Sequence, residues 1–337
     1  MAHRTMSSTT PINILITGAA GLVGPLLASR LLNAPQYRLL LTDLSPPAIP
    51  SGVTYPHHAT TLQGDITSPS FVTTLLSHYS SPSQPLHAVF LFHGIMSAAA
   101  EADYDLSLRV NVDSIRLLTA ALRSAHPGVR VIYASSLAVF GQPLPEGGKV
   151  PETWLPTPQS TYGAHKLMVE AYLNEMHRRG FLDVFVVRFP TIAIRPGKPT
   201  GAASSFWSGI VREPMNGVEC AVPVLDRGFR AFVASPRTVA ENLVRVLGWQ
   251  SGVLPEHRRQ VMFPGIAVSI QELRDALAKY GGEERLGLIK EVRDEGLERI
   301  LRSWAQDFEI ETPLRLELVV NSSADEVVRE YVESLDR

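Results

Sequence analysis

The chain has 337 residues, of which 45% are hydrophobic, and its 31 basic side chains nearly balance its 33 acidic ones. This length allows one large domain or two ordinary ones, each with a substantial core. The small net charge argues against nucleic acid or an anionic membrane surface as a partner. The single cysteine, Cys220, excludes an intrachain disulfide and a cysteine-rich zinc site, and it favours a reducing compartment.

The N-terminal region is basic and rich in serine and threonine, which superficially resembles a transit peptide. Because the first strand pattern begins at Ile12, we predict a short disordered tail over residues 1–11 instead. No apolar run reaches the roughly 18–20 residues that cross a bilayer. We therefore expect a soluble, cytoplasmic protein without a membrane partner.

Short apolar runs alternate with longer helical patterns through the first 190 residues. The runs predict strands buried on both faces at Ile12–Thr17, 38–42, 88–92, 129–134 and 184–188, with one more strand ending before Gly64. The patterns between them predict helices at 21–32, 71–79, 101–125 and 161–179 and a proline-rich loop at 45–51. Such alternation predicts an α/β fold of the Rossmann type, with a doubly wound parallel sheet and right-handed crossovers.

Beyond residue 190 the alternation is less regular. The predicted elements are helices at 204–215, 236–249, 270–280, 296–305 and Ala324–Leu335, and short strands near Cys220, Phe232 and Val261. We interpret residues 191–337 mainly as a smaller C-terminal substrate-binding lobe, from which later segments can return to the domain of residues 12–190. Ligands of open α/β sheets bind at the carboxyl ends of the strands, so we expect the lobe to close over that edge.

A glycine turn, Gly18-Ala-Ala-Gly21-Leu-Val-Gly24, lies between the first predicted strand and the first predicted helix. Its first glycine permits a tight turn, its second lets the backbone approach a pyrophosphate, and its third lets helix and strand pack closely. The helix N-terminus offers free N–H groups and the positive end of its dipole to phosphates. An ordinary strand–helix turn also contains glycines, but this placement predicts a dinucleotide site that includes Leu22 and Val23.

Asp43 ends the second predicted strand and is the acid expected after a dinucleotide-binding turn. Its carboxylate can accept hydrogen bonds from both hydroxyls of the adenosine ribose and would repel a 2′-phosphate. We therefore predict NAD rather than NADP as the cofactor, bound by residues 12–190. Asp65 and Ile66 are candidate adenine contacts, although Gly64-Asp65 is also ordinary turn sequence.

A phenol and an ammonium lie one helical turn apart in Tyr162-Gly-Ala-His-Lys166, at the start of a predicted helix, and the preceding strand runs into Ser136. A free tyrosine has a pKa of about 10. We expect Lys166 and a positive nicotinamide ring to lower it, so that Tyr162 takes the proton of an alcohol while hydride leaves the same carbon. Ser136 would hydrogen-bond the reacting oxygen. A surface pair and a strand-end serine are the structural alternative.

These motifs, together with Gly64-Asp65 and Asn111, resemble the extended short-chain dehydrogenase/epimerase superfamily over nearly the whole chain. Longer and more specific segments are similar to the family of D-erythronate dehydrogenases, at 97–105, 135–146, 157–163, 188–199 and 203–214. The resemblance implies NAD⁺-dependent oxidation of a small polyhydroxy acid at C2, as in D-erythronate, to the 2-oxo acid. It also implies that Asn111 is the structural asparagine near the active-site lysine and that Pro190 lies against the nicotinamide.

One position departs from this resemblance. Related chains commonly carry His-Leu-Ala-Ala after the fourth strand, whereas this chain has Leu91-Phe92-His93-Gly94. His93 is therefore expected beside the cofactor, in a place that is usually small and apolar. Two interpretations stay open: a tolerated substitution that contacts the cofactor through its backbone, and a second proton relay.

The superfamily also contains dehydratases and nucleotide-sugar epimerases. A dehydratase needs an acid/base pair directly after the strand-end serine, and Leu137 and Ala138 cannot serve as one. An epimerase uses the same serine, tyrosine and lysine with a tightly bound NAD, so it stays open as the alternative. A non-catalytic NAD sensor is less favoured, because it has no use for this set of side chains.

The substrate pocket is predicted from weaker signals. Arg195, Arg212 or Arg230 would suit either the carboxylate of a small hydroxy acid or a diphosphate. The candidate substrate contacts are Ser97, Ser136, Tyr162, Thr191 and Arg230.

No metal site is predicted, since the adjacent His57 and His58 project apart. The superfamily resemblance implies a homodimer that pairs through helices 101–125 and 161–179.

Overall fold

The computed structural model describes residues 11–145, 148–199 and 202–335, so all of the predicted tail except Pro11 lies outside the described residues. The described strands are β1 (Ile12–Thr17), β2 (Tyr37–Asp43), β3 (Ala59–Gln63), β4 (Leu86–Leu91), β5 (Arg130–Ser136), β6 (Lys149–Val150), β7 (Asp183–Phe189), β8 (Thr191–Ile192), β9 (Cys220–Val222), β10 (Arg230–Ala234), β11 (Gln260–Met262), β12 (Ile266–Ser269), β13 (Ile289–Glu291) and β14 (Asp307–Phe308). The described α-helices are α1 (Val23–Leu31), α2 (Pro69–Ser77), α3 (Ser97–Ala102), α4 (Tyr104–Leu108), α5 (Ser114–Ala125), α6 (Thr161–Arg178), α7 (Ser205–Met215), α8 (Pro236–Leu247), α9 (Ile270–Gly281), α10 (Glu295–Arg302), α11 (Glu311–Arg315) and α12 (Ala324–Leu335).

Seven parallel strands form the central sheet, in the order β3-β2-β1-β4-β5-β7-β11. Successive strands are added on one side of β1 up to β3 and on the other side from β4 onwards. A crevice therefore opens between the carboxyl ends of β1 and β4, where open α/β sheets bind their ligands. The predicted Rossmann-type doubly wound sheet is confirmed.

Strand β1 shows why the strand runs are continuously apolar. Successive side chains of a strand point to opposite faces, and helices cover both faces of this sheet. Ile14 and Ile16 pack on one face with α1 and α8, whereas Leu15 packs on the other with α2, α5 and α6. Each large apolar side chain buried in this way contributes about 1.5–3 kcal/mol to the stability of the fold. The sheet therefore positions the residues at its carboxyl edge rigidly.

Residues after 190 are divided between two bodies. Strand β11 pairs with β7 at the edge of the central sheet, and α8 packs against α1, so both belong to the larger body. Leu316 and Leu318, after α11, also pack in the core of the larger body. A smaller lobe has its own core around Trp207 and includes β8, β10 and β12 and the helices α7, α9 and α12. This lobe lies over the carboxyl ends of the large sheet.

The prediction of one helix over residues 101–125 is wrong. The chain forms α3 and α4 there, then a π-helical turn at Arg109–Asp113 and finally α5. The break falls at Asp103, whose backbone is extended and whose carboxylate accepts a hydrogen bond of 2.9 Å from Leu106 N. Aspartate competes with helix continuation in this way, because its side chain satisfies a free N–H at a new helix start. No helix among the described residues is long and apolar enough to cross a membrane.

Candidate active site

A cavity opens at the carboxyl edge of the central sheet, between the sheet and the smaller lobe. On the sheet side it is lined by residues at the ends of strands, such as Gly18, Ser136 and Pro190. On the lobe side it is lined by aromatic side chains, such as Trp207 and Trp304. The predicted site residues that line the cavity are Gly18, Gly21, Leu22, Val23, Ser97, Ser136, Tyr162, Lys166, Pro190, Thr191 and Arg230. The predicted residues that do not line it are Gly24, Asp43, Asp65, Ile66, His93 and Asn111.

The glycine turn is shaped by close backbone approaches. Gly18 has a φ of 68°, and a Cβ there would lie 2.5 Å from Phe92 C and from His93 N. A Cβ on Gly24 would lie 2.6 Å from Ala19 Cα, so α1 packs directly on the turn. Side chains at these two positions would push the helix and β4 away from β1. The glycines thus keep the backbone of the turn bare at the cavity wall.

The first turn of α1 presents backbone N–H groups towards this wall. No side chain among the described residues caps the helix, and no acid lies in its first turn. Pro25 occupies a first-turn position, where the missing N–H would have had no partner within the helix. An uncapped helix N-terminus binds phosphate through its N–H groups and its dipole. The bare turn and the open helix end therefore fit the pyrophosphate of NAD.

Asp43 lies at the end of β2, beside the glycine turn. Its Oδ2 accepts a hydrogen bond of 2.9 Å from Ala20 N, and its Oδ1 accepts one of 3.2 Å from Ser45 N. These bonds orient the carboxylate, while each oxygen keeps a second lone pair for a ribose hydroxyl. The carboxylate is thus fixed beside the glycine turn, and its contact with the adenosine ribose stays a prediction. We call the glycine turn, the start of α1 and Asp43 the cradle.

Asp65 and Ile66 follow β3, next to Asp43 in space, since Gly64 N donates to Asp43 O. Asp65 Oδ1 accepts from Thr67 N at 2.9 Å and from Thr67 Oγ1 at 2.8 Å, which is ordinary turn chemistry. Ile66 is half-buried against the core beneath α2. The turn interpretation explains Asp65 on its own, and the adenine contact is an additional prediction.

Ser136 and Tyr162 are brought together by a tight contact between the end of β5 and the start of α6. Ser160 caps α6 by accepting a hydrogen bond of 3.1 Å from Gly163 N. A Cβ on Gly163 would lie 2.3 Å from Ala138 O, so the helix start can approach the turn after Ser136 because this residue is glycine. Ser136 Oγ accepts from Ala138 N at 3.1 Å, which leaves its hydrogen free for the cavity. The Ser136 hydroxyl also lies close enough to the Tyr162 phenol to lower its pKa.

Lys166 lies behind Tyr162 on the same helix face. Its Nζ donates to Ala134 O at 2.7 Å and lies 5.5 Å from the centroid of the Tyr162 ring. Asn111, on the π-helical turn, is bonded to a different segment. Its Oδ1 accepts from Ile95 N at 2.9 Å, and its Nδ2 donates to Ile95 O at 3.1 Å. Asn111 therefore fixes the loop after β4, within reach of the lysine side of the site.

Burial has the largest effect on the pKa values of Tyr162 and Lys166. It raises the pKa of Tyr162 to about 12, although the Ser136 hydroxyl and the charge of Arg195 lower it. Burial also lowers the pKa of Lys166 to about 8, with Glu170 acting in the opposite direction. In the protein alone the pKa of Tyr162 is thus raised, because an enclosed phenolate loses its hydration. The lowering expected from Lys166 together with a bound nicotinamide stays a prediction.

A buried ion pair supports the site from below. Arg188 on β7 donates to both carboxylate oxygens of Glu170 on α6, at 2.9 and 2.6 Å, and Ser135 Oγ donates to the same carboxylate at 2.5 Å. Glu170 is fully buried. Because paired buried charges with all partners in place rigidify their surroundings, this pair holds β5, β7 and α6 at a fixed distance.

His93, the departure from the family pattern, bonds inside the protein. Ser114 Oγ donates to Val110 O at 2.6 Å, so it accepts from His93 Nε2 at 2.8 Å. In the neutral ring, Nδ1 then accepts from Thr17 Oγ1 at 2.7 Å, a shorter contact than the 3.1 Å from the same hydroxyl to Phe90 O. Burial, aided by the charge of Lys166, lowers the pKa of His93 to about 3, so the ring is neutral. Both ring nitrogens are occupied by internal partners, and the ring does not line the cavity.

The substrate side differs from the sequence-based selection. Ser97 and Thr191 line the cavity half-buried, whereas Arg230 lies exposed at its rim. Arg195 lines the cavity near Tyr162 and was considered in the sequence only as one of three arginines. The aromatic wall of Trp207 and the residues around it was missed altogether. No local signal marks these side chains, because they meet only when the lobe folds over the sheet. Among the described residues, no group of three potential ligands gathers as a metal site.

Comparisons with known proteins agree with this geometry. The model of the NAD dependent epimerase/dehydratase family matches residues 14–232. D-erythronate dehydrogenase from Haemophilus influenzae is 34% identical over 96% of this chain and 99% of its own length. D-erythronate dehydrogenase from Cupriavidus necator is 35% identical over 96% of this chain and 98% of its own length.

One solved structure is also similar over nearly the whole chain. It is described as a nucleoside-diphosphate-sugar epimerase from Agrobacterium tumefaciens, with a TM-score of 0.88 and 32% identity, and it covers 99% of this chain and 97% of its own. The family match and the two dehydrogenase relatives show that the cofactor is NAD and that the protein is an NAD-dependent dehydrogenase by type. The chain belongs to the NAD dependent epimerase/dehydratase family.

Proposed function

We propose that this protein oxidises a small polyhydroxy 2-hydroxy acid at C2, D-erythronate or a close analogue, to the 2-oxo acid with NAD⁺. The observation that carries the proposal is the meeting of Ser136, Tyr162 and Lys166 at the cavity wall beside Pro190, where the nicotinamide end of the cradle is expected. The full-length similarity to two D-erythronate dehydrogenases supports the choice of substrate class.

Ser136 and Tyr162 handle the reacting oxygen. Ser136 Oγ, whose lone pair accepts from Ala138 N, donates its own hydrogen to the substrate C2 oxygen and holds it in place. Tyr162 is the acid/base: as the phenolate it takes the hydroxyl proton during oxidation, and as the phenol it returns the proton during reduction. Bound NAD⁺ supplies the hydride acceptor and, by its positive ring, favours the phenolate.

Lys166 adjusts this acid/base from behind. Its ammonium is fixed by Ala134 O and lies beside the Tyr162 ring, so its charge reduces the free energy that phenolate formation requires. Burial holds its pKa at about 8, so the charge is present at neutral pH and is lost at alkaline pH. Asn111, bonded to Ile95, acts as a positioning residue for the loop beside them.

A nucleotide-sugar epimerase is the second candidate. It is supported by the description of the similar Agrobacterium structure and by the same serine, tyrosine and lysine. An epimerase returns the hydride to its substrate, so it yields no net NADH, whereas a dehydrogenase does. This difference separates the two candidates.

The test is a panel of four-carbon hydroxy acids and nucleotide sugars, assayed with NAD⁺ and NADP⁺ in parallel. We expect net NADH from D-erythronate or a close analogue and far less product with NADP⁺. Turnover of a nucleotide sugar without net NADH would support the epimerase instead. NADH from none of the acids would contradict the proposal.

We also propose a homodimer that pairs through α5 and α6, as the superfamily resemblance implies. Met168 on α6 is 50% exposed, as expected for an apolar residue that a second subunit would cover. Sedimentation of the wild type and of Met168→Glu tests this proposal. We expect a dimer that the charge weakens, and a monomeric wild type would contradict it.

A further inference from the structure

The charge of the cavity is uniformly positive. Among the described residues that line it, the charged side chains are Lys166, Arg195 and Arg230, and none is an aspartate or a glutamate. Lys166 already donates to Ala134 O and belongs to the acid/base group. The two arginines are therefore available for an anionic part of the substrate.

Arg195 is held in place without being neutralised. Its Nε donates to Ile192 O at 2.9 Å and its backbone N donates to Ser208 Oγ at 3.0 Å, while Nη2 makes only a long contact of 3.5 Å with Ser204 Oγ. Among the described residues, no carboxylate forms an ion pair with it. Burial lowers the pKa of Arg195, and the ionisable groups that act on it are the Tyr162 phenol and the cation Arg212.

The other two arginines lack this combination. Arg212 is buried, donates to Glu213 at 2.6 Å and to Arg195 O at 3.0 Å, and does not line the cavity. Arg230 lines the cavity but lies exposed at its rim, where water screens its charge. Arg195 is thus the arginine that is half-buried, lines the cavity and acts on the acid/base Tyr162.

We propose that Arg195 binds the carboxylate of the substrate. In a 2-hydroxy acid the carboxylate carbon is bonded directly to the carbon that is oxidised. A cation that holds the carboxylate must therefore line the same cavity as the acid/base, and both Arg195 and Tyr162 line it. A guanidinium fork that is already fixed at Nε presents its remaining N–H donors to a planar carboxylate. The inference rests on the proposed function for the nature of the acid.

The residue also explains selectivity against uncharged polyols. An uncharged ligand would leave the half-buried guanidinium without a partner, and a buried unpaired charge is costly. The structure thus assigns the recognition of C1 to Arg195 and that of the C2 oxygen to Ser136 and Tyr162. The substrate is then oriented at two neighbouring atoms.

The experiment measures binding apart from turnover, by calorimetric titration of the NADH-bound enzyme. The ligands are D-erythronate and erythritol, which has a hydroxyl in place of the carboxylate. We expect the wild type to prefer the acid by at least about tenfold. Arg195→Gln should weaken acid binding about 100-fold and leave polyol and NADH binding unchanged, because a charge-assisted pair is lost. The matched control Arg237→Gln, at an exposed arginine that does not line the cavity, should change acid binding by less than about threefold.

Arg195→Lys keeps the positive charge but lacks the guanidinium fork, so its affinity for the acid should fall about tenfold. This variant also tests the proposal if Arg195→Gln fails to bind NADH. Acid binding in Arg195→Gln within about threefold of the wild type, or no preference for the acid in the wild type, would overturn the proposal. A wild type that binds the acid through Arg195 but forms no NADH would overturn the proposed function and leave the carboxylate site standing. NADH formation that is insensitive to Arg195→Gln would overturn the carboxylate site and leave the proposed function standing.

Discussion

The two sides of the cavity are built differently. The sheet side consists of bare backbone and short side chains at strand ends, as in the glycine turn, where a Cβ on Gly18 or Gly24 would lie only 2.5 or 2.6 Å from neighbouring backbone. The lobe side consists of large aromatic side chains and arginines, as in Trp207 and Arg195. We therefore expect the sheet side to bind the cofactor and the lobe side to determine which substrate is bound. Substitutions on the sheet side should therefore reduce turnover of every substrate, whereas substitutions on the lobe side should change which substrate is preferred.

The largest effect is expected on the sheet side, at Tyr162. Tyr162→Phe removes the acid/base and keeps the ring, so kcat should fall about 1000-fold or more. NADH binding should stay within about threefold, because the cradle is untouched; both are measured by steady-state kinetics and NADH titration. Activity near that of the wild type would show that another group moves the proton.

The pH dependence of the reaction rate is a second test of Tyr162 as the acid/base. Oxidation requires the phenolate, and burial raises the pKa of Tyr162 to about 12 in the protein alone. The rate of oxidation should therefore rise by about tenfold per pH unit at low and neutral pH, and the rate of reduction should not. As Lys166, with its pKa of about 8, loses its proton, the rise should flatten. A rate of oxidation that is independent of pH from about 6 to 8 would contradict this assignment.

A smaller effect is expected at Asp43, at the far end of the cradle. Asp43→Asn keeps an oxygen that can accept from Ala20 N, so the turn should stay intact while the negative charge is lost. The KM for NAD⁺ should rise about tenfold, and that for NADP⁺ should fall, because the repulsion of a 2′-phosphate is removed. The ratio of kcat/KM for the two cofactors checks this. An unchanged ratio would sink the role of the carboxylate.

The smallest effect on catalysis is expected at His93. His93→Ala should change kcat by less than about threefold but reduce the free energy of unfolding by about 1–2 kcal/mol, since the bonds to Thr17 and Ser114 are lost. Urea unfolding and steady-state assays at the same pH measure both quantities. A large fall in kcat with a shifted pH profile would favour the proton relay instead.

The same residue also affects acid stability. In the folded protein the pKa of His93 is lowered from 6.5 to about 3, so between these values the unfolded chain binds a proton that the folded chain does not. Stability from this group is full above pH 6.5 and falls as the pH drops towards 3. Urea unfolding at several pH values should show a smaller loss on acidification in His93→Ala than in the wild type. An equal loss would contradict the neutral, internally bonded ring.

The extent to which the sequence predicts each side follows from this contrast. The glycine turn, Asp43 and the pair Tyr162 and Lys166 each lie within one strand–turn–helix unit, so local patterns fix where they stand. Arg195 could not be distinguished from Arg212 or Arg230, because the choice depends on how the lobe packs across the sheet. The raised pKa of Tyr162 in the protein alone was also missed, since spacing predicts a neighbouring ammonium but not the loss of hydration. The helix break at Asp103 was only partly predictable. Asp103 can be recognised as a capping residue, but the apolar periodicity of the surrounding residues conceals the break.

The most direct test of the central claim follows the hydrogen at C2. The enzyme is incubated with NAD⁺ and the 2-hydroxy acid that carries deuterium at C2, and the products are analysed by mass spectrometry. We predict deuterium in the reduced nicotinamide and a 2-oxo acid formed in equal amount. Deuterium that stays in the substrate or passes to water, with no labelled NADH, would contradict the account.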